Sequence, residues 1–333
     1  MNSPRPASRR IGIVGAGAIG GHVAARLALA GHDVSVLARG ATLDAIRRGG
    51  LHYRSGGDEW RIPLRAVGSA QEMGAQELVV IAVKGQSLPA LAPGLGPLLG
   101  PGTAVLPVIN GLPWWYLQVP GQPLSGMRLA RADPDGAIER ALPLPHVLGG
   151  TIFASCHTPA PGSVVHSSGA RLALGEPGGG VSERARLWAD VLAHAGLGAV
   201  AADDIRREIW LKLLGNVCVN PLSLLTCATT DRLVGDPPVR ELMTRMMTEC
   251  IGLGRALGLA IDIDPAERIA QTSRLGAIKT SMLQDLEAGR GVELDGIVGA
   301  PLECAALLGH PMPMTGAVFA LACQRARQAG LYA

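Results

Sequence analysis

Short, largely apolar runs separated by glycine-rich turns dominate the first third of the chain. Leu78–Val83 and Ala104–Ile109 are uninterrupted apolar runs, and Arg10–Val14 and Asp33–Leu37 are strands broken only by Asp33, Ser35 and the opening Arg10. Runs of that length and character are strands buried on both faces, the signature of a parallel sheet rather than of a half-exposed antiparallel one. Between the first two, Gly21 to Ala30 is a helix of mostly small residues that stops at Gly31. Beyond Gly198-Ala199-Val200 the strand pattern fades and helical signals take over. Asp203-Asp204 opens a long helix, Asp236-Pro237 caps another ending near Gly258, and Asp264-Pro265-Ala266-Glu267 starts a third. The last of these has an acidic N-cap, proline at N1 and glutamate at N3. Two more helices run up to Gly309 and Gly330.

The turn after the first strand reads Gly15-Ala16-Gly17-Ala18-Ile19-Gly20. A G-x-G-x-x-G in the order strand, turn, helix gives a tight turn, close backbone approach to a pyrophosphate, and close helix–strand packing. Free N–H groups at the helix N-terminus then face the phosphates. The fold class expected is therefore α/β: an N-terminal Rossmann-type dinucleotide-binding domain followed by an all-helical domain. The boundaries expected are a flexible tail over 1–9, the nucleotide domain over 10–202 with an insertion near 114–145, and the helical substrate domain over 203–333. The second strand closes as Val36-Leu37-Ala38-Arg39. Asp33 lies at its wrong end to reach a ribose, whereas Arg39 can pair with a 2′-phosphate, so NADP(H) is expected over NAD(H). The third and fourth strands end at Lys84 and Asn110-Gly111, on the carboxyl side where open α/β sheets bind ligands.

From Gly85 to Met127 no residue is charged, but eight prolines interrupt the segment, so it cannot be a membrane helix. Trp114, Trp115 and Tyr116 stand in it, three of ten aromatic residues in the chain. They read as the base of a folded insertion or as a wall of the substrate pocket, and we favour the wall. A short helix is expected at Asp133-Pro134. Composition narrows the class further. At 48% hydrophobic, 17% charged and net charge +3, the chain is globular, with no basic run suited to nucleic acid. Six scattered cysteines without a CxxC pair, and no apolar leader, point to free thiols and a cytoplasmic location. The histidines show no metal-ligand spacing.

Of thirty basic side chains only Lys84, Lys212 and Lys279 are lysines. An ammonium can give up and regain a proton where a guanidinium cannot. Lys212 heads a row with Asn216 and Asn220 at i, i+4, i+8, on one face of an otherwise apolar helix. Three polar groups there either line a wet cleft or go unsatisfied at high cost.

These residues together resemble the ketopantoate reductase (2-dehydropantoate 2-reductase) family. The likeness runs from Ile11 to about Gly316. It is carried by the glycine turn, Val83-Lys84, Asn110-Gly111, Pro161-Gly162-Ser163-Val164-Val165-His166, Trp210-Leu211-Lys212, Asn216, Asn220-Pro221-Leu222, Ser281-Met282-Leu283-Gln284-Asp285, Glu287-Ala288-Gly289-Arg290 and Glu293-Leu294-Asp295. The resemblance implies NADPH-dependent reduction of a 2-keto acid, in the family's case ketopantoate to pantoate for pantothenate and coenzyme A synthesis. It implies Lys212 as proton donor, with Asn216, Asn220 and Ser281 on the substrate. Asn110 would lie between nicotinamide and substrate, and Glu293 would contact the cofactor ribose and the catalytic assembly. Ser281 and Glu293 come from the resemblance alone. Where the family carries Asn-Gly this chain has Val298-Gly299, and Thr230 falls near the place of the family's substrate-contacting asparagine, which leaves room for another bulky 2-keto acid.

The partner expected is thus a small keto acid, without nucleic acid or membrane, and a homodimer is compatible. Two rivals remain: an opine or β-hydroxyacid dehydrogenase, and a non-catalytic NADP-binding redox sensor. The sensor has no use for the lysine–asparagine row.

Overall fold

The computed structural model describes residues 7–274 and 276–332. The chain divides into two compact units: residues up to Ile109 together with Gly136–Ile205, and Asn110–Asp135 together with residues from Arg206 onward.

The first unit is built on a five-stranded parallel sheet whose apolar runs are buried throughout. Its spatial order is Arg65–Val67, Asp33–Leu37, Arg10–Val14, Leu78–Ile81, Ala104–Pro107. That places the glycine-turn strand at the centre, as the Rossmann-type assignment requires. The third and fourth strands stop two residues earlier than their apolar runs, at Ile81 and Pro107.

A second sheet was not legible in the sequence. It contains the hairpin Leu51–Ser55/Asp58–Ile62 and the long hairpin Gly149–Ala160/Ser163–Gly175, with Ala199–Ala201 at its edge. Helix Ala18–Leu29 has both sheets to serve. Its face toward the second sheet is Gly21, where a Cβ would stand 2.6 Å from Val164 Cγ2. A helix covered on two sides has little amphipathic contrast, and this explains its small-residue composition. One core joins the sheets through residues such as Ile11, Val23, Leu27, Tyr53, Leu106, Leu174 and Trp188.

The expected tail is partly tied down. Met1–Pro6 lie outside the described residues, but the Arg9 guanidinium donates to Glu77 at 2.7 Å and its backbone N–H to His32 Nδ1 at 3.3 Å. The short helix expected at Asp133-Pro134 forms instead at Ala137–Ala141, after Gly136 in the left-handed region at φ 69°. Asp133 is fully buried rather than capping a helix.

The second unit is helical. Its principal elements are Ile205–Thr226 (first residue in the other unit), Pro237–Ala256, Pro265–Ser273, Ala300–Leu308 and Pro313–Gln328. Asp236 and Asp264 cap their helices as expected, accepting from the N–H of Val239 and Ala266. Helix Ile205–Thr226 is long and apolar enough to cross a membrane, yet 67% of its apolar window is buried, which is the condition of a core helix.

The insertion departs from expectation. Asn110–Asp135 belongs to the helical unit, and the nucleotide unit resumes at Gly136. Burial explains the change of allegiance. Trp114, Trp115 and Tyr116 are at most 1% exposed, and the Tyr116 hydroxyl donates to the Arg206 carbonyl at 2.9 Å. The Arg206 guanidinium lies over the Tyr116 ring, which also stacks on Trp210. The aromatic cluster is therefore core of the helical unit and not a pocket wall.

Candidate active site

In the first unit the chain turns out of its central strand at Gly15, whose φ is +98° and whose N–H donates to the Leu37 carbonyl at 3.0 Å. A Cβ on Gly15 would meet Val83 at 2.7 Å, and one on Gly20 would meet the Gly15 carbonyl oxygen at 1.8 Å. These two glycines are there for turn and packing. Gly17 differs: nothing stands within 4 Å of where its Cβ would be, and the residue is exposed. It is the N-cap of helix Ala18–Leu29 with no side-chain cap, and no acidic residue occupies the first turn. An open backbone approach onto uncapped N–H groups fits a dinucleotide pyrophosphate. Ala16 is buried, while Ala18 and Ile19 form the partly exposed start of the helix.

Arg39 ends the second strand as the exposed N-cap of helix Gly40–Gly49. Lys84 follows the third strand, half-buried, at the start of a short helical turn. Both positions suit a phosphate-bearing cofactor, and Asp33 sits exposed at the opposite end of its strand.

In the second unit Lys212 projects from helix Ile205–Thr226 and its ammonium donates to Asn110 Oδ1 at 3.0 Å. Asn110 Nδ2 in turn donates to Glu293 Oε2 at 3.1 Å. The three form one relay: cation, amide, carboxylate. Burial of the ammonium lowers the Lys212 pKa to about 8, while the Glu293 carboxylate pulls it upward. An ordinary lysine is fully charged at neutral pH, whereas this one is poised near neutrality, as proton-transferring groups are.

Glu293 precedes a π-helical turn, Asp295–Gly299. Such turns cluster at functional sites. The turn also receives the Asn110-Gly111 corner. Gly111 has φ +82°, a Cβ there would lie 2.1 Å from the Gly296 oxygen, and Leu112 N–H donates to that same oxygen at 2.9 Å. Only glycine permits the approach that sets Asn110 against Glu293.

Asn216 and Asn220 continue the row from Lys212, and among the described residues their side-chain amides have no hydrogen-bond partner, although Asn220 is only 5% exposed. Neither amide is among the buried polar atoms left without a partner, so both tips keep access to solvent and are open to a ligand. Ser281 is exposed at the first position of helix Ser281–Glu287. Its neighbour Thr280 bonds Ser223 at 2.5 Å, one turn past Asn220. Ser281 is thereby brought near the row.

Thr230 and Val298 turn inward. The Thr230 hydroxyl donates to the Gly276 carbonyl and accepts from Ile278 N–H, and Val298 is fully buried. Lys279, the third lysine, is a surface cation paired with both oxygens of Glu287 at 2.7 and 2.9 Å. Sequence reasoning without the family missed Glu293, and only the π-turn's Gly111–Gly296 contact reveals why it matters.

A dinucleotide cradle in one unit and a desolvated lysine relayed to a carboxylate in the other define an NAD(P)-dependent oxidoreductase. Two family models match: Ketopantoate reductase PanE/ApbA over residues 11–114, and Ketopantoate reductase PanE/ApbA C terminal over residues 204–326. The chain is 44% identical to a 2-dehydropantoate 2-reductase of Mesorhizobium japonicum, over 97% of this chain and 99% of that one. It is 43% identical to a candidate ketopantoate reductase from Ralstonia solanacearum of known crystal structure, with TM-score 0.94 over 98% and 100% of the two chains. The 2-dehydropantoate 2-reductase from Geobacter metallireducens is 28% identical, with TM-score 0.82 over 95% and 99%. The chain belongs to the ketopantoate reductase family.

Proposed function

We propose that this protein is a 2-dehydropantoate 2-reductase that uses NADPH to reduce the ketone of ketopantoate, giving pantoate for pantothenate formation. The observation that carries the reading is the Lys212–Asn110–Glu293 relay, with Asn216 and Asn220 continuing the row on the helix of Lys212. The relatives' names agree with it.

NADPH would be held by Gly15, Ala16, Gly17, Ala18, Ile19 and Gly20, with Arg39 on its 2′-phosphate, and with Lys84, Asn110 and Glu293 completing its contacts. When bound, it supplies the electron pair that reduces the ketone carbon. Lys212 does the proton work. Its ammonium, held by Asn110, stabilises negative charge growing on the ketone oxygen and then gives that oxygen a proton. With a pKa of about 8 it is about 90% protonated at neutral pH, yet parts with the proton far more readily than an ordinary lysine. Glu293 keeps Asn110 oriented, donor side toward itself and acceptor side toward Lys212. Asn216, Asn220 and Ser281 bind the substrate's carboxylate and hydroxyl.

Ketopantoate is the substrate favoured. The two positions at which the chain departs from the family are internal: Thr230 is spent on backbone and Val298 on core. A panel of branched 2-keto acids with NADPH and NADH, followed at the nicotinamide absorbance, tests this. The reading requires ketopantoate to give the highest kcat/KM, and NADPH to exceed NADH.

A further inference from the structure

Glu293 lies between two residues that are both fastened to the same short segment. Val292 N–H donates to the Leu331 carbonyl at 3.2 Å, and the Tyr332 hydroxyl donates to Asp295 Oδ1 at 2.8 Å. Asp295 opens the π-turn that receives the Asn110-Gly111 corner. Its carboxylate also accepts from Arg131 Nη1 at 2.8 Å, and Arg131 belongs to the far end of the segment that Asn110 begins. Glu303 accepts from the backbone N–H groups of Ala130 and Arg131 at 2.7 and 2.9 Å. Both ends of Asn110–Asp135 therefore close on one turn. Gly299 makes room for this: a Cβ there would stand 3.2 Å from Asp295 Oδ1 and 3.3 Å from both Arg131 Cδ and Phe319 Cζ.

The Arg131 and Asp295 side chains are 47% and 33% exposed, so their ion pair contributes little to stability. A clamp of low energetic value that flanks one carboxylate on both sides serves placement. We propose that Tyr332, Asp295 and Arg131 are positioning residues that hold Glu293 and Asn110 in register with Lys212. The proposal rests on the reading of Lys212 as the proton donor. Tyr332 is suited to the task because its ring is itself held under the Arg327 guanidinium, so the hydroxyl arrives pre-aimed.

The test is steady-state kinetics of the full chain with NADPH and ketopantoate across the alkaline range, on Tyr332→Phe, Asp295→Asn and Asp295→Ala. Tyr332→Phe keeps the ring and its stacking, so folding is preserved. Loss of the hydroxyl's bonds to Asp295 and Arg131 should lower kcat about threefold to tenfold in Tyr332→Phe, and further in Asp295→Ala. NADPH affinity should fall by a smaller factor than kcat, since the glycine turn and Arg39 are untouched and Glu293 and Asn110 are only part of the cofactor's contacts. The alkaline limb of the pH profile should move to lower pH in both, because a displaced Glu293 no longer supports the charged lysine. Asp295→Asn retains an acceptor and should recover part of both effects. A fall in kcat with the limb unmoved, or no fall in either variant, overturns the proposal. Normal turnover in Lys212→Arg would instead overturn the donor assignment beneath it.

Discussion

Lys212→Arg keeps a positive charge on the same helix and removes what makes the native residue unusual. Burial takes the lysine from 10.5 to about 8, a displacement worth roughly 3 kcal/mol against the charged form. The sign follows from proton binding. The folded-state pKa lies below the unfolded one, so the unfolded chain holds this proton more tightly. The fold forgoes that stability below about pH 8 and regains it as pH rises to 10.5. The cost is accepted for a proton that can be transferred at neutral pH.

Arginine stays protonated throughout this range, and its planar fork cannot place one N–H where the ammonium stood, 3.0 Å from Asn110 Oδ1. Positioned general acids contribute about 10²–10⁴-fold, so kcat should fall by that order. The wild-type enzyme should lose activity in reduction above about pH 8, whereas residual activity in Lys212→Arg should show no such limb. The assay is NADPH oxidation with saturating ketopantoate across pH, with cofactor affinity measured separately by fluorescence. A variant within about tenfold of wild type, or a wild-type profile flat through the alkaline range, refutes the mechanism.

Other substitutions probe the remaining parts. Arg39→Ala should erase most of an NADPH-over-NADH preference of at least about tenfold, the value of a charged hydrogen bond to phosphate, and equal kcat/KM for both cofactors in the wild type would remove the assignment. Gly17→Ala should fold normally, since nothing lies within 4 Å of the new methyl, but bind NADPH weakly. Gly20→Ala, with its methyl 1.8 Å from the Gly15 oxygen, should lower the melting temperature as well, and identical behaviour of the two would contradict the cradle geometry. Trp115→Ala should cost about 3–5 kcal/mol in denaturant unfolding and leave the ranking of keto acids unchanged, because the ring is core; a changed ranking at unchanged stability would restore the pocket-wall reading.

Local chemistry made much of this protein legible in its sequence. Strand, glycine turn and helix must follow one another in the chain to form the dinucleotide cradle, so Gly15 to Gly20 announce it directly. The row Lys212, Asn216 and Asn220 is equally local, because helical periodicity alone puts residues four apart on one face. The caps at Asp236 and Asp264 are contacts within a single turn.

What escaped the sequence was decided by contacts between distant residues. The second sheet pairs His52 with Ser163 and Leu172 with Ala199, separations that no local pattern encodes. The segment Asn110–Asp135 looked like an insertion in the nucleotide domain because it follows that domain's last strand. It folds with the helical unit, where the Tyr116 ring packs between Trp115 and Trp210 and its hydroxyl bonds the Arg206 carbonyl. Glu293 is one acid among many until a π-turn and two facing glycines set it against Asn110. The sequence determined that Lys212 carries a titratable charge at the head of a polar row on an otherwise apolar helix. Only the tertiary structure, by desolvating that charge and facing it with Asn110 and Glu293, brought its pKa to where a proton can be exchanged.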